Sequence, residues 1–353
     1  METTQNITLK RLLALSAERS ASDLHIVVGN KPTIRIDGQL VVLEEEEVIT
    51  QDFVATVIEA IATEEQRERL EKEKELIFLY DFVDQNRFRV DITKQRGMYS
   101  LEFHYVPSIV KKLTDLGFPK EIDELTMKSQ GLVVISGRQG SGVTTTLAGF
   151  AETINQREAK TILILSDPVE YSMVSHKSII QQQEIGTDTN SWMTGLDIGE
   201  QDVDVVIASD VPNGEVLKRL INLSQNGVLV CVGYQASSVD QVVKSLMLLL
   251  DQGELQHYAD LFSRVFVGAV VQALVPKIGG GKVLSLEVAL GTASMQRTVA
   301  EMKFDQIHNL IQTSRSDGMI TMDRYLQELY RSGQVDKENA LAFARSVDSF
   351  NAL

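Results

Sequence analysis

Residues 137–146 read Gly-Arg-Gln-Gly-Ser-Gly-Val-Thr-Thr-Thr, the spacing of a phosphate-binding loop with valine where lysine belongs. A complete loop, G-x-x-x-x-G-K-[ST], closes backbone N–H groups around phosphates, reaches the β and γ oxygens with its lysine and holds Mg²⁺ with its hydroxyl. Gly137, Gly142 and Thr144 keep their places, Gly140, Ser141 and Thr145 belong to the same cradle, and Val143 replaces the lysine. Valine fills space without neutralising phosphate charge. Losing one charge-assisted hydrogen bond costs about 1.5–3 kcal/mol, roughly 10- to 150-fold in affinity, while the backbone cradle and helix N-terminus survive. The loop is therefore either a weak nucleotide site, for ATP or ADP with magnesium, or an inherited turn. Arg138 lies inside the loop but starts from the wrong position to replace the lysine.

The flanking residues are those such a loop requires. Residues 132–136 form a short apolar run that predicts a buried strand, and residues 144–155 predict a helix. Further strand-like runs at 161–165, 203–209 and 228–232 alternate with helical stretches, the pattern of a parallel sheet wrapped by helices. Residues 1–105 differ: one helical stretch at 8–20 accompanies alternating runs at 33–36 and 87–90, which predicts a small α+β domain. Residues 106–119, with a glycine and two prolines, read as a linker to a second domain over 120–353. From about Phe304 onward the pattern is mostly helical.

Composition narrows the function. The 353 residues suffice for two domains, and 43% hydrophobic with 24% charged residues is ordinary for a globular chain. A net charge of −15 argues against nucleic acid as a partner, because phosphate neutralisation by Lys and Arg dominates that binding. No apolar run approaches the ~18 residues of a membrane span; the longest, 265–275, is broken by Gln272. The N-terminus lacks signal-peptide character, so a cytoplasmic protein without direct membrane insertion is expected. The single cysteine, Cys231, reads as a buried small hydrophobe and rules out a cysteine cluster. The acidic runs at 44–47 and 64–75 read as solvated helix faces. Trp192 and residues 246–250 read as core or a subunit contact.

Several segments in order and spacing resemble the type IV pilus retraction ATPases, the PilT-like branch of the secretion ATPases. They are Ala21-Ser-Asp-Leu-His25 with Arg35-Ile-Asp-Gly38, Arg87-Phe-Arg-Val90 with Gln95-Arg-Gly97, Asp167-Pro-Val-Glu170, His176-Lys-Ser-Ile-Ile180, Ile311-Gln-Thr313 and Gly318-Met-Ile-Thr-Met-Asp323. The resemblance implies an N-terminal PAS-like α+β domain, a RecA-like P-loop α/β domain with a helical C-terminal segment, and a ring hexamer that binds ATP between subunits. The tetracysteine zinc site of the extension branch cannot exist with Cys231 alone, which favours the retraction branch.

The departures from the family pattern fall on its catalytic positions. Ser166 stands where the resemblance implies a glutamate that activates water, and a serine hydroxyl cannot replace that base. The Walker B segment resembles 205–210, with Asp210 in place of glutamate; Thr144 and Asp210 would then be the Mg²⁺ positions. Family arginines fall on Leu196 and Glu200, and family histidines on Val228 and Gln235. The later Ala-Ile-Arg motif becomes Ser294-Met-Gln296. His25 and His176 match family positions and read as satisfied structural histidines rather than catalytic ones, and Asp167 and Glu170 either touch metal or, as the favoured reading, cap strand ends.

The resemblance with these departures implies a subunit without intact catalytic residues that assembles as a homo-hexamer, or as a hetero-oligomer with an active retraction ATPase. It would sit at the inner-membrane pilus base against a platform protein, in twitching motility or a related machine. The alternative is a slow motor ATPase that borrows charge from a neighbouring subunit, with Lys177, Arg87 and Arg89 as candidate donors. A ring that senses ATP without hydrolysing it is a third reading.

Overall fold

The computed structural model describes residues 4–19, 21–36, 38–82, 87–106, 109–347 and 350, and the side chains within them except those of 4 and 198–201. Its contacts divide the chain into two units: Met1–Ile109 with Glu170–Ser172, and Val110–Val169 with Met173–Leu353. The boundary falls inside the segment read as a linker. Its later part belongs to the second unit, where Leu113 and Phe118 are buried and the Leu113 amide donates to Thr153 Oγ1.

The first unit contains α1 (Thr4–Glu18), β1 (Asp23–Val27), β2 (Thr33–Ile36), β3 (Gln39–Val42), α2 (Gln51–Ile61), α3 (Glu64–Glu73), β4 (Glu75–Asp81), β5 (Arg87–Gln95) and β6 (Met98–Val106). The predicted first helix begins four residues earlier than its apolar pattern, and Ser20, its predicted end, lies outside the described residues. The strands form one antiparallel sheet in the order β3-β2-β1-β6-β5-β4. Period-two alternation sends Leu24, Ile26, Ile34, Val90, Ile92, Leu101 and Phe103 to one face, where they join Leu9, Leu12 and Val57 of the helices in a core. This is the PAS-like α+β arrangement. The acidic run at 44–47 is a turn, not a helix face. The run at 64–75 is largely α3, which starts with a capping box between Thr63 and Gln66.

The second unit contains α4 (Lys120–Asp123), β7 (Gly131–Gly137), α5 (Val143–Arg157), β8 (Thr161–Ser166), β9 (Ile179–Glu184), α6 (Trp192–Asp202), β10 (Val205–Ala208), α7 (Gly214–Gln225), β11 (Leu229–Tyr234), α8 (Val239–Leu248) and α9 (Leu255–Val265). The chain continues through β12 (Phe266–Pro276), β13 (Lys282–Leu290), α10 (Ala293–Ala300), α11 (Ile307–Thr313), α12 (Met322–Arg331) and α13 (Lys337–Phe343). Seven strands run in the order β13-β12-β7-β11-β10-β8-β9, all parallel except β13. Residues 132–135 of β7 and all of β10 are buried because helices cover both faces, so they read as unbroken apolar runs. Two apolar clusters fill those faces, one with Leu220, Phe262 and Leu246, the other with Phe150, Ile164 and Cys231. Cys231 is fully buried, and burial pushes its thiol pKa up.

Candidate nucleotide site

A parallel sheet gathers its ligand-facing groups where its strands end. Along that edge stand Gly137 at the end of β7, Tyr234 at the end of β11, Ser209 and Asp210 after β10, Ser166 at the end of β8 and Glu184 at the end of β9. Gln272 of β12 pairs in register with Gly137.

The loop itself is closely packed. A methyl group on Gly137 would lie 2.2 Å from Ser141 Oγ and 2.7 Å from the Gln272 carbonyl oxygen, so only glycine fits. Gly140 and Gly142 take left-handed φ values of 76° and 88°, and Gly142 is the N-cap of α5. Gln272, 3% exposed, donates from Nε2 to the Ser141 carbonyl at 2.7 Å and accepts from Thr146 Oγ1 at 2.9 Å. It therefore ties the loop to the first turn of α5. Ser141 is 6% exposed, and its Oγ has no hydrogen-bond partner among the described residues. Glycines, a helix N-terminus and an orphaned hydroxyl suit a phosphate group. Gly137, Gly140, Ser141, Gly142, Thr144 and Thr145 thus lie together, with Thr144 and Thr145 partly exposed on the first turn of α5.

The charges are arranged otherwise. Val143 is partly buried and packs against the cluster that contains Leu147, Phe150 and Val270. Ser166 is buried and lies three strand spacings from the loop strand, ~14 Å along the edge. Its registered neighbour Glu184 has both carboxylate oxygens engaged, by the Val169 amide at 3.0 Å and Thr187 Oγ1 at 2.9 Å. Asp210 is an exposed residue, yet partial burial of its carboxyl raises its pKa, opposed by the Val211 amide at 2.8 Å. Tyr234, near enough for Asp210 to act on it, has its phenol pKa raised by burial and then by that carboxylate. The backbone of the site fits phosphates, while Val143 and Ser166 are uncharged at the positions where the resemblance implies a cation and a carboxylate.

Other residues singled out by sequence are dispersed. Val228 lies at the start of β11, where its carbonyl accepts from the Gly131 amide, a strand length away from the loop; Gln235 is exposed at the other end. Only the second of that pair reaches the site edge. Leu196 is fully buried in α6 and faces core, and the side chain of Glu200 lies outside those described. In the first unit, Arg89 Nη1 is 2.6 Å from Glu170 Oε1 and its Nε is 3.2 Å from Asp91 Oδ1; Arg87 Nε is 2.6 Å from Asp81 Oδ1. Lys177 Nζ reaches the Arg157 carbonyl at 3.4 Å.

The order of the parallel strands, the glycine loop after the central one and the helix that follows define a RecA-like P-loop domain, which follows the PAS-like domain in sequence. The type II/IV secretion system protein family matches residues 5–280, and the chain belongs to that family. The type IV pilus retraction ATPase PilT of Pseudomonas aeruginosa is 29% identical over 97% of this chain and 99% of its own length. The type IV pilus ATPase PilU of the same organism is 26% identical over 98% of this chain and 90% of its own. The crystal structure of the pilus retraction motor PilT with bound ADP superimposes with a TM-score of 0.85 at 26% identity, covering all of both chains. The ATPase DotB of Legionella pneumophila shares the fold, with a TM-score of 0.83 at 17% identity. Among the described residues no helix is long and apolar enough to cross a membrane.

Proposed function

We propose that this chain is a ring-forming subunit of a type IV pilus or related machine that does not hydrolyse ATP itself and acts as a structural or regulatory partner of an active motor. The observation that carries this reading is Val143, packed toward the core on the first turn of α5, where a phosphate-binding lysine would project. Ser166 and the engaged Glu184 support it from the other end of the edge. Weak ATP or ADP binding with Mg²⁺ near Thr144 and Asp210 is compatible with the intact cradle. Its partners would be further copies of this chain or an active retraction ATPase, together with an inner-membrane platform protein, at the cytoplasmic pilus base. The reading in which Arg87 and Arg89 act in a neighbouring site is disfavoured because both are already paired with carboxylates.

The test is calorimetric titration of Mg-ATP with parallel phosphate release, on the wild type and a Val143→Lys/Ser166→Glu double variant. The expected result is no turnover by the wild type and binding that tightens by roughly 10- to 150-fold in the variant. Turnover by the wild type that disappears in Thr144→Ala would overturn it.

A further inference from the structure

Away from the phosphate loop, β1 and β6 bring four metal-competent side chains together on the sheet face opposite the core. Alternate residues of a strand share a face, and the register sets Asp23 opposite His104 and His25 opposite Glu102. The intervening Leu24, Phe103 and Leu101 point into the core. One ligand atom each from Asp23, His25 and Glu102 lies within 4.8 Å of the others.

The contacts of these groups leave His25 uncommitted and hold Asp23 in place. His25 Nδ1 is 3.7 Å from Glu102 Oε2, beyond hydrogen-bonding distance, and its Nε2 is buried without a partner among the described residues. Neither ring nitrogen makes a hydrogen bond among the described residues, and the Glu102 carboxylate is the charged group nearest Nδ1. Asp23 Oδ1 is 2.7 Å from His104 Nδ1, while Oδ2 is 2.7 Å from Ser22 Oγ and 3.3 Å from Arg35 Nε. Such outer partners orient a ligating carboxylate and fix its geometry.

We propose that Asp23, His25 and Glu102 form a binding site for a divalent cation of the zinc class, with a fourth position left for water and His104 as the positioning residue for Asp23. One imidazole and two carboxylates match a zinc-type donor set; magnesium, which favours oxygen ligands alone, suits it less. Ligand atoms around a tetrahedral zinc at ~2.0–2.1 Å stand roughly 3.4 Å apart, so closing the cluster requires movements of about 1 Å. Three partly exposed side chains on a fixed two-strand platform can make such movements without disturbing the core.

The experiment is a titration of the untagged, chelator-treated full-length protein with Co²⁺, followed by its ligand-field absorption and displaced by Zn²⁺. One saturable equivalent is expected, with affinity lowered at least ~10-fold in His25→Gln and in Glu102→Gln. His257→Gln, remote in sequence, should leave it unchanged. Absence of a saturable Co²⁺ spectrum, or wild-type affinity in both ligand variants, would overturn the proposal. A measurement on the wild type alone guards against misfolded variants: Zn²⁺ should protect His25, but not His257, from carbethoxylation read by peptide mass. Equal modification of His25 with and without Zn²⁺ counts against the site.

Discussion

Gln272 and Thr146 are joined by a buried 2.9 Å hydrogen bond, 126 residues apart in sequence, that fastens the start of α5 to β12. The same glutamine donates to the Ser141 carbonyl, so one side chain holds both sides of the loop. Gln272→Leu keeps the size but leaves that carbonyl without its donor; Thr146 retains its second bond to Gly142 at 3.1 Å. The expected loss is about 1–3 kcal/mol, measured by urea denaturation, together with weaker residual nucleotide binding. Unchanged stability would show that the loop is held by its own turns.

Gly233 closes against a neighbouring strand end. A Cβ there would sit 2.3 Å from the Ser209 carbonyl oxygen, a backbone atom that cannot swing away. Gly233→Ala should lower the unfolding free energy by roughly 1–3 kcal/mol, as overpacking does. Gly253→Ala, with open space around it, serves as the control and should stay within about 0.5 kcal/mol of the wild type.

The Asp240–Arg345 pair makes acid stability readable. Burial alone would raise the Asp240 carboxyl, but hydrogen bonds from Arg345 at 2.7 and 3.1 Å outweigh it, and its pKa lies below the ordinary value. A depressed folded pKa gives stability that is present above the unfolded value of about 3.9 and is lost as pH falls through the folded one. Asp240→Asn should therefore be less stable than the wild type at pH 7, by about 0.2–1 kcal/mol, and the difference should vanish toward pH 2. A constant difference across that range would contradict the assignment.

Glu287 carries the opposite sign. It is 1% exposed on β13, and burial raises its pKa despite the Val239 amide at 2.7 Å and the Met322 amide at 3.4 Å. A raised carboxyl binds its proton more tightly in the folded state, so its contribution is full below about pH 4.3 and declines as pH rises through the folded value. Melting temperatures taken through that interval should show a shallower decline in Glu287→Gln. A steeper decline would show that the shift has the other sign.

Much of the second sheet was legible because doubly covered parallel strands are unbroken apolar runs, as at β7, β8, β10 and β11. The strand β9, Ile-Ile-Gln-Gln-Gln-Glu, was not: it is an edge strand paired only with β8, and its partly solvated residues carry no apolar run. The cradle glycines could be read from spacing, since backbone requirements are local. Gln272 was visible only as an interruption of an apolar run, because its partners Ser141 and Thr146 come from a distant segment. Val228 and Gln235 looked like a pair in sequence, yet a strand separates them by its full length. Likewise Asp23, His25, Glu102 and His104 become neighbours only through the β1–β6 register, which neither strand encodes alone.

The edge strand β3 shows how the glutamates that follow it act on the handling of the chain. Its residues Leu40, Val41 and Val42 are 58%, 38% and 45% exposed on a strand bonded only to β2. Unpaired edges of this kind template aggregation unless charge blocks them. Glu44 and Glu46 are drawn back to Lys31 and Arg11, whereas Glu45 and Glu47 stay exposed beside the edge. Two such edges that approach one another carry like charges, so solubility should decline in concentrated salt or in acid, where that repulsion is screened or titrated away.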